Sequence, residues 1–298
     1  MPAVAQDSDG LDTLELPGIS NYAPPHDIRP LASRNASSVT LSAQLVEEGE
    51  EVARGMIWRI FKPETDSQGK LPLVASAQGG TSVFELEPGS YLVHASYGRA
   101  GATKRISVGR EPQRENFVLN AGGLKLDAIA ADGGRIPPDK LRFAIYEGGS
   151  EDDSDRALIL PDVQPNTVVR LRSGIYHIVS TYGSVNAVIR SDIRVEAAKL
   201  TEATVEHHAA EITLKLVRES GGEAIADTSW SVINEAGEPV KESVGAFAPM
   251  VLADGQYTAI AKNRERIYQM DFTIEPGLNR EIEVIASEAA ALDPESID

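Results

Sequence analysis

Hydrophobic and polar residues alternate along most of this chain in short runs. Segments such as Leu124-Lys125-Leu126 and Ile212-Thr213-Leu214-Lys215-Leu216 have the period of two that places side chains alternately on the two faces of a β-strand. Gly, Pro, Asn and Asp interrupt these runs about every 8–12 positions, the spacing typical of turns between short strands. No amphipathic helical pattern runs for three turns, and Pro137-Pro138 would interrupt one. The pattern therefore predicts an all-β protein.

One segment occurs three times at nearly constant spacing. In each copy a leucine precedes a Gly-x-Tyr tripeptide, and the chain then continues as a strand. The tripeptides start at Gly89, Gly174 and Gly255, which are 85 and 81 residues apart, and end at Tyr91, Tyr176 and Tyr257. In the first two copies a Tyr-Gly pair follows six residues later, as Tyr97-Gly98 and Tyr182-Gly183, whereas the third copy has Asn263 at that place.

A second block repeats upstream of each tripeptide, in the same order. It consists of an alternating run, an acidic or glycine-rich turn, and a strand with a large aromatic residue at a matching place. These aromatic residues are Trp58, Phe143 and Trp230. Two blocks repeated three times in one order predict an internal repeat of roughly 83 residues.

The repeat predicts three tandem antiparallel β-sandwiches of immunoglobulin-like or prealbumin-like size, with disordered ends. Both ends lack apolar periodicity and are rich in Pro, Ser and acidic residues. The predicted segments are a disordered N-terminal segment at 1–38, β-sandwich repeats at 39–121, 122–209 and 210–286, and an acidic disordered tail at 287–298.

The Gly-x-Tyr element has a structural interpretation. Glycine allows a positive φ in the turn, and the following strand places Tyr91, Val93 and Ala95 on one face. We expect this face to be the core between two sheets, with each phenol reaching a backbone partner at the edge. A platform of exposed aromatic residues for ligand binding is the alternative.

Composition narrows the possible partners. The chain has 28 Lys and Arg against 45 Asp and Glu, a net charge of −17, which argues against nucleic-acid binding. It has no cysteine, so disulfides, thiolate metal sites and thiol nucleophiles are absent. No 18-residue apolar run is present to span a bilayer.

No motif for catalysis or for a cofactor is recognisable in the sequence. His94 and His177 fall on the strand face that we expect to be solvent-exposed, and adjacent His207 and His208 point to opposite faces of a strand. One acidic loop is a weak candidate for binding Ca²⁺, although it lacks the spacing of a dedicated calcium loop. Its candidate ligands are Glu151, Asp152, Asp153 and Asp155.

The N-terminus suggests export. Ala3-Val4-Ala5 before Gln6 has the small residues of a signal peptidase site, although no basic and apolar segment precedes it. We therefore expect a trimmed signal peptide or a wrongly placed start codon, and a periplasmic or extracellular location.

The pattern Leu-x-x-Gly-x-Tyr-x-Val, in a cysteine-free β-repeat, resembles the prealbumin-like modules of bacterial envelope proteins. These include carboxypeptidase regulatory-like, PEGA and collagen-adhesin B-type domains. Over residues 39–286 the chain also resembles a family of exported alphaproteobacterial repeat proteins. The resemblance implies a seven-stranded sandwich, an extracytoplasmic setting, and a spacer or binding role without catalysis.

The sequence thus favours a non-enzymatic, exported envelope protein that acts as a scaffold or protein-interaction module. An envelope protein is the expected partner, without nucleic acid, cofactor or membrane-spanning segment. Two alternatives remain open. In the first, the protein binds a carbohydrate, either peptidoglycan or a surface polysaccharide. In the second, it is an accessory subunit of an envelope enzyme or transport complex.

Overall fold

A computed structural model describes residues 35–149, 156–287 and 291–292. Three two-sheet sandwiches follow one another along the chain, so the prediction of an all-β protein with three tandem sandwiches is confirmed. In the described residues the first two repeats have seven strands each, as the resemblance implied, and the third has eight, of which the last is short.

The strands of each repeat are as follows. The first repeat contains β1 (Ser37–Gln44), β2 (Met56–Phe61), β3 (Leu73–Gly79), β4 (Ser82–Leu86), β5 (Gly89–Tyr97), β6 (Ala100–Val108) and β7 (Gln113–Val118). The second contains β8 (Ala121–Ala130), β9 (Leu141–Glu147), β10 (Leu158–Val163), β11 (Val168–Arg172), β12 (Gly174–Tyr182), β13 (Ala187–Val195) and β14 (Leu200–His207). The third contains β15 (Ala209–Val217), β16 (Thr228–Asn234), β17 (Pro239–Val244), β18 (Phe247–Ala253), β19 (Gly255–Asn263), β20 (Arg266–Ile274), β21 (Arg280–Ile285) and β22 (Ala291–Leu292).

Every repeat divides its strands in the same way. The first repeat has a three-stranded sheet, in the order β4-β1-β7, and a four-stranded sheet, in the order β3-β2-β5-β6. The corresponding sheets are β11-β8-β14 and β10-β9-β12-β13 in the second repeat, and β18-β15-β21 and β17-β16-β19-β20-β22 in the third. A one-turn 3₁₀ helix, Pro138–Lys140, precedes β9 and has proline at its first position, where the missing N–H costs nothing.

The pairing of the first strand of a repeat with its last strand departs from the antiparallel arrangement. The first and last strands of a repeat run parallel, β1 beside β7 and β15 beside β21. Direction alternates from strand to strand along the chain, so the first and seventh strands point the same way. They can therefore pair only in parallel.

The described chain forms two compact units, and the second repeat contributes to both. One unit contains the described residues up to 125 together with 168–175 and 194–201, and the other contains the remaining described residues. The alternation seen in the sequence produces the core of each unit. In β1 the side chains of Val39, Leu41 and Ala43 are buried, and in β16 those of Trp230 and Val232 are buried.

Among the described residues, no helix has the length and apolar character of a membrane span. The terminal segments predicted at 1–38 and 287–298 lie largely outside the described residues. The exceptions are residues 35–38, where β1 begins at Ser37, and residues 287 and 291–292.

Candidate functional site: the hairpin junctions between repeats

The Gly-x-Tyr tripeptides open the strands β5, β12 and β19, at Gly89, Gly174 and Gly255. The tyrosines Tyr91, Tyr176 and Tyr257 are 2%, 9% and 5% exposed, so each lies in a sandwich core. The Tyr91 hydroxyl donates to the Glu87 carbonyl at 2.9 Å, and the Tyr257 hydroxyl donates to the Ala253 carbonyl at 3.0 Å. Gly255 has a φ of 143°, but Gly89 does not have a positive φ, so the expected reason for glycine is wrong at that position.

The matching aromatic residues Trp58, Phe143 and Trp230 are all buried. The indole N–H of Trp58 donates to the Gly80 carbonyl at 2.8 Å, and that of Trp230 donates to the Gly245 carbonyl at 3.0 Å. Each indole thus fixes the connection between the two sheets of its own sandwich. The phenyl ring of Phe143 fills the same place without such a bond.

The histidines differ from expectation. His94 and His177 are only 7% and 8% exposed, so the prediction that they face solvent is wrong. The imidazole of His94 contacts Thr103 Oγ1 at 2.9 Å through Nδ1. Burial, together with the charge of Arg59, lowers the pKa of His94 to about 4. A neutral, buried imidazole of this kind is a packing residue.

The weak calcium candidate cannot be placed. Its four acidic residues, 151–153 and 155, lie outside the described residues. Within the described part of the chain, no group of three or more histidine or carboxylate side chains is arranged to hold a metal ion.

The Tyr-Gly pairs do have a shared structural environment. Tyr97-Gly98 ends β5 and lies against β11 of the second repeat, within the first compact unit. A Cβ on Gly98, whose φ is +62°, would lie 2.7 Å from the Cβ of Arg170. The guanidinium of Arg170 lies 4.7 Å from the centre of the Tyr97 ring, and the Arg99 N–H donates to the Arg170 carbonyl at 2.9 Å. We call the turn of residues 97–100 the first junction hairpin.

The second junction hairpin, residues 182–187, repeats this arrangement within the second compact unit. A Cβ on Gly183, whose φ is +73°, would lie 2.7 Å from the Cβ of Val251 in β18. The side-chain amide of Asn186 makes two hydrogen bonds to the third repeat. It donates to the Tyr257 hydroxyl at 2.8 Å and accepts from the Ala253 N–H at 3.1 Å.

An ionic cluster completes the second junction. The Tyr182 hydroxyl donates to Glu211 Oε1 at 2.8 Å, and the ammonium of Lys140 donates to Glu211 Oε2. Burial of Glu211 opposes its charged form, but the hydrogen bonds from Lys140 and Tyr182 outweigh this effect and lower its pKa. Burial, reinforced by the Glu211 carboxylate, raises the pKa of Tyr182. The cluster therefore holds a carboxylate between a cation and a neutral phenol.

Two cavities border this cluster. The larger, of 620 Å³, is lined by residues that include Lys140, Glu211 and Arg280. The smaller, of 160 Å³, is lined by residues that include Asp132, Tyr182 and Asn279. Ser180 and His207 lie nearby and share a 2.7 Å hydrogen bond, but they are 1% exposed and so inaccessible to a substrate. The arrangement is suited to fixing two sandwiches together, because its polar groups satisfy one another.

The third copy of this hairpin, residues 263–266, has different chemistry. Arg264 occupies the turn position of Gly98 with a φ of +56°, a conformation that L-residues rarely adopt. The Asn263 side chain stabilises the turn by donating to the Ala226 carbonyl at 2.8 Å. Lys262, Arg264 and Arg266 are exposed around it.

The sequence showed the two Tyr-Gly pairs and the departure at Asn263 but not their partners. Arg170, Glu211, Lys140 and Val251 carry no local motif, and sequence reasoning missed them. The departure at Asn263 was the available signal for these contacts. In the described residues no further sandwich follows the third hairpin, and this is the hairpin whose sequence differs from the first two.

Exposed aromatic side chains bear on the alternative of sugar binding. Among the described residues, Phe247 is the aromatic side chain that is largely exposed, at 53%. Both tryptophans are buried. The described surface therefore does not present a platform of several aromatic rings.

Comparison with solved structures found bacterial proteins, several of them pilins. They include the Bacillus anthracis TIE protein (16% identity, TM-score 0.26), which matches over 85% of this chain and 51% of its own. The minor pilin GBS52 of Streptococcus agalactiae has 15% identity, a TM-score of 0.32, and coverage of 57% of this chain and 95% of its own. The major pilin subunit BcpA of Bacillus cereus has 11% identity, a TM-score of 0.23, and coverage of 85% and 100%. The chain thus spans about half the length of the TIE protein.

A search of curated proteins found no match. A family model does match one part of the chain, residues 211–286, which begin in β15 and end just after β21. This third repeat matches the Rhizobiales growth-associated tandem repeat domain.

Proposed function

We propose that the protein is a non-enzymatic scaffold of the bacterial cell envelope that binds an envelope protein through its tandem β-sandwich repeats. The observation that supports this most strongly is the pair of junction hairpins. At each junction a Tyr-Gly pair of one repeat packs against a strand of the next, without room for a Cβ on the glycine. Within each compact unit such a contact fixes a hairpin of one repeat on a strand of the next, as in repeat proteins whose neighbouring repeats contact one another.

The distribution of polar residues supports the same role. The repeats share core residues, namely the buried tyrosines and the buried ring at the position of Trp58. They do not share a polar cluster, because the Lys140–Glu211 pair has no counterpart in the first junction, where Arg170 stacks on Tyr97. A repeated fold with different surfaces is expected of an interaction array and not of a repeated active site.

The proposal includes an extracytoplasmic location and a role in growth. The resemblance of the repeats to modules of exported envelope proteins supports an extracytoplasmic location. The match of the third repeat to a growth-associated domain of the Rhizobiales supports a partner that acts in growth of the cell envelope.

Cross-linking in living cells tests this function. The tagged protein is cross-linked, captured and analysed by mass spectrometry, together with cell fractionation to establish its compartment. We expect one dominant envelope protein in the captured material. Glycan fragments without a protein partner would replace the scaffold function with carbohydrate binding, and exclusively cytoplasmic partners would refute export.

A variant pair sharpens the experiment. Gly183→Val introduces a side chain where Val251 already lies, whereas Gly221 has a similar φ of +74° and open space around it. Gly221→Val therefore reproduces the backbone strain without disturbing the junction. If a fixed arrangement of repeats is needed, Gly183→Val reduces capture of the partner and Gly221→Val does not. Equal capture by both variants would show that the junction is irrelevant to binding.

A further inference from the structure

Each junction hairpin meets one strand of the following repeat, which we call the docking strand. The docking strands are β11 in the second repeat and β18 in the third, and the strand at the same place in the first repeat is β4. Their registers align them. Leu86 pairs with Ser37, Leu171 with Gly122 and Leu252 with Ala210, near the start of the first strand of each repeat. Glu85 therefore corresponds to Arg170 and to Val251.

The chemistry of each hairpin matches the docking strand that it contacts. The first hairpin has an aromatic ring, Tyr97, which stacks on the cation of Arg170. The second has a bare glycine, Gly183, which lies against the apolar side chain of Val251. In both cases the residue that is contacted holds the same register position in its docking strand.

Among the described residues, one hairpin and one docking strand remain without such a contact, and their charges are opposite. The docking strand of the first repeat has exposed Glu85, and exposed Glu87 follows it. Around the third hairpin three exposed cations outnumber one exposed carboxylate, the four residues being Lys262, Arg264, Arg266 and Glu265. This basic hairpin lies on a chain whose net charge is −17, so it stands out from the general surface.

We propose that two copies of this chain associate head to tail, with the third hairpin of one copy on β4 of the other. Arg264 and Arg266 then pair with Glu85 and Glu87, as the earlier hairpins pair with their own docking strands. The inference deepens the proposed scaffold function, and rests on it, by naming a second copy as a partner.

Arg264 also determines how close this contact is. A Cβ at the corresponding position of the first hairpin would lie 2.7 Å from the Cβ of Arg170, so a side chain there keeps the two backbones farther apart. The contact between copies is thus made by long, solvated side chains. Exposed ion pairs are individually weak and are screened by salt, so we expect reversible association that high ionic strength abolishes.

The contact joins different surfaces of the two copies, so in a pair one copy keeps its basic hairpin available for a further contact and the other keeps its docking strand. Such heterologous contacts add copies in series. We therefore expect the average mass to rise continuously with protein concentration and not to stop at a dimer.

Sedimentation velocity of the full chain at low and at high ionic strength measures this association. Glu85→Lys with Glu87→Lys makes the docking strand basic, and Arg264→Glu with Arg266→Glu makes the hairpin acidic. Each double variant alone is expected to weaken the association by about tenfold or more, because like charges now meet. An equimolar mixture of the two double variants restores it, since opposite charges meet again.

The matched control is Glu47→Lys with Glu50→Lys. It changes the net charge by the same amount at exposed residues of the β1–β2 loop, outside the docking strand. We expect this control to retain the association. Restoration in the mixture is a result that misfolding of either variant would not produce.

Two outcomes would overturn the inference. The first is a wild-type protein that stays monomeric at every concentration and ionic strength. The second is equal weakening by the control and by the docking-strand variant. If the wild type is monomeric and the Arg264→Glu with Arg266→Glu variant is cleaved by protease within residues 287–298 faster than the wild type, the hairpin is assigned to the chain's own acidic tail. Capture of a different envelope protein from cells would then leave the scaffold function standing without self-association.

Discussion

At the scale of single residues, the glycines of the junction hairpins are required for two separable reasons. Gly183 has a positive φ, which disfavours any residue with a Cβ, and it also lies against Val251. Gly98 has both properties as well, through Arg170. Arg264 shows that a positive φ alone does not impose glycine, since its side chain is exposed.

Gly183→Ala and Gly221→Ala separate these reasons. The two glycines have φ values of +73° and +74°, but only Gly183 has neighbouring atoms within 4 Å of the place that a methyl group would occupy. We expect Gly221→Ala to lower the free energy of unfolding by about 1 kcal/mol through backbone strain. Gly183→Ala should lower it by about 1–3 kcal/mol more, because the methyl group overlaps Val251. Urea denaturation measures both, and equal losses would contradict the steric argument.

His207 makes stability depend on pH. Burial lowers its pKa from 6.5 to about 4. Between these two pH values the histidine is protonated in the unfolded chain and neutral in the folded chain. Its contribution to stability is complete above pH 6.5 and is lost as the pH falls towards 4. The slope reaches at most about 1.4 kcal/mol per pH unit for one histidine. His94 acts in the same direction.

Urea denaturation across this pH range tests the effect through His207→Gln. This variant should lose stability less steeply than the wild type as the solution is acidified. His208→Gln removes an exposed histidine from the neighbouring position and serves as the control. A His207→Gln profile parallel to that of the wild type would show that the buried imidazole does not resist protonation.

At the scale of elements, the two junction hairpins use the same aromatic residue differently. Tyr182 donates its hydroxyl to Glu211, whereas the ring of Tyr97 lies against the Arg170 guanidinium. The hairpin thus provides a rigid aromatic residue, and the residue it meets on the next repeat decides whether the ring or the hydroxyl is used.

Removing the hydroxyls distinguishes these uses. Tyr182→Phe deprives Glu211 of a donor and should lower the free energy of unfolding by about 1–2 kcal/mol. Tyr97→Phe retains the ring over Arg170 and should change stability little. The raised pKa of Tyr182 adds a second readout, because stability that depends on the neutral phenol is lost as the pH rises past 10. Alkaline denaturation of Tyr182→Phe should lack this loss, and similar behaviour of the two variants would contradict the assignment.

At the scale of the whole molecule, the net charge of −17 opposes compaction. Raising the ionic strength screens this repulsion and should raise the melting temperature by a few degrees, while it dissociates copies joined head to tail. The two salt effects therefore have opposite directions. Calorimetry over a salt series measures the first, and Glu47→Lys with Glu50→Lys should reduce it by lowering the net charge. A melting temperature that falls with salt would show that favourable ion pairs outweigh the general repulsion.

Much of the fold could be predicted from local patterns. Alternation along β1 and β16 marks which side chains of a strand share a face, and the Gly-x-Tyr tripeptide marks where β5, β12 and β19 begin. The burial of both tryptophans follows from the same period of two. The outer face of the four-stranded sheet could not be predicted in this way. A period of two separates two faces but does not show that neighbouring groups, such as Thr103, cover His94.

The sequence by itself determined the all-β class, the three repeats and the residues that build each core, because these depend on strand periodicity and on turn residues close together in the chain. Only the tertiary structure decided that Tyr97 meets Arg170 and that Tyr182 meets Glu211, since these partners lie 73 and 29 residues apart and carry no shared motif. It also decided the parallel pairing of β1 with β7. Which surfaces face each other depends on how whole sheets pack, and that packing is set by the cores together and not by any one segment.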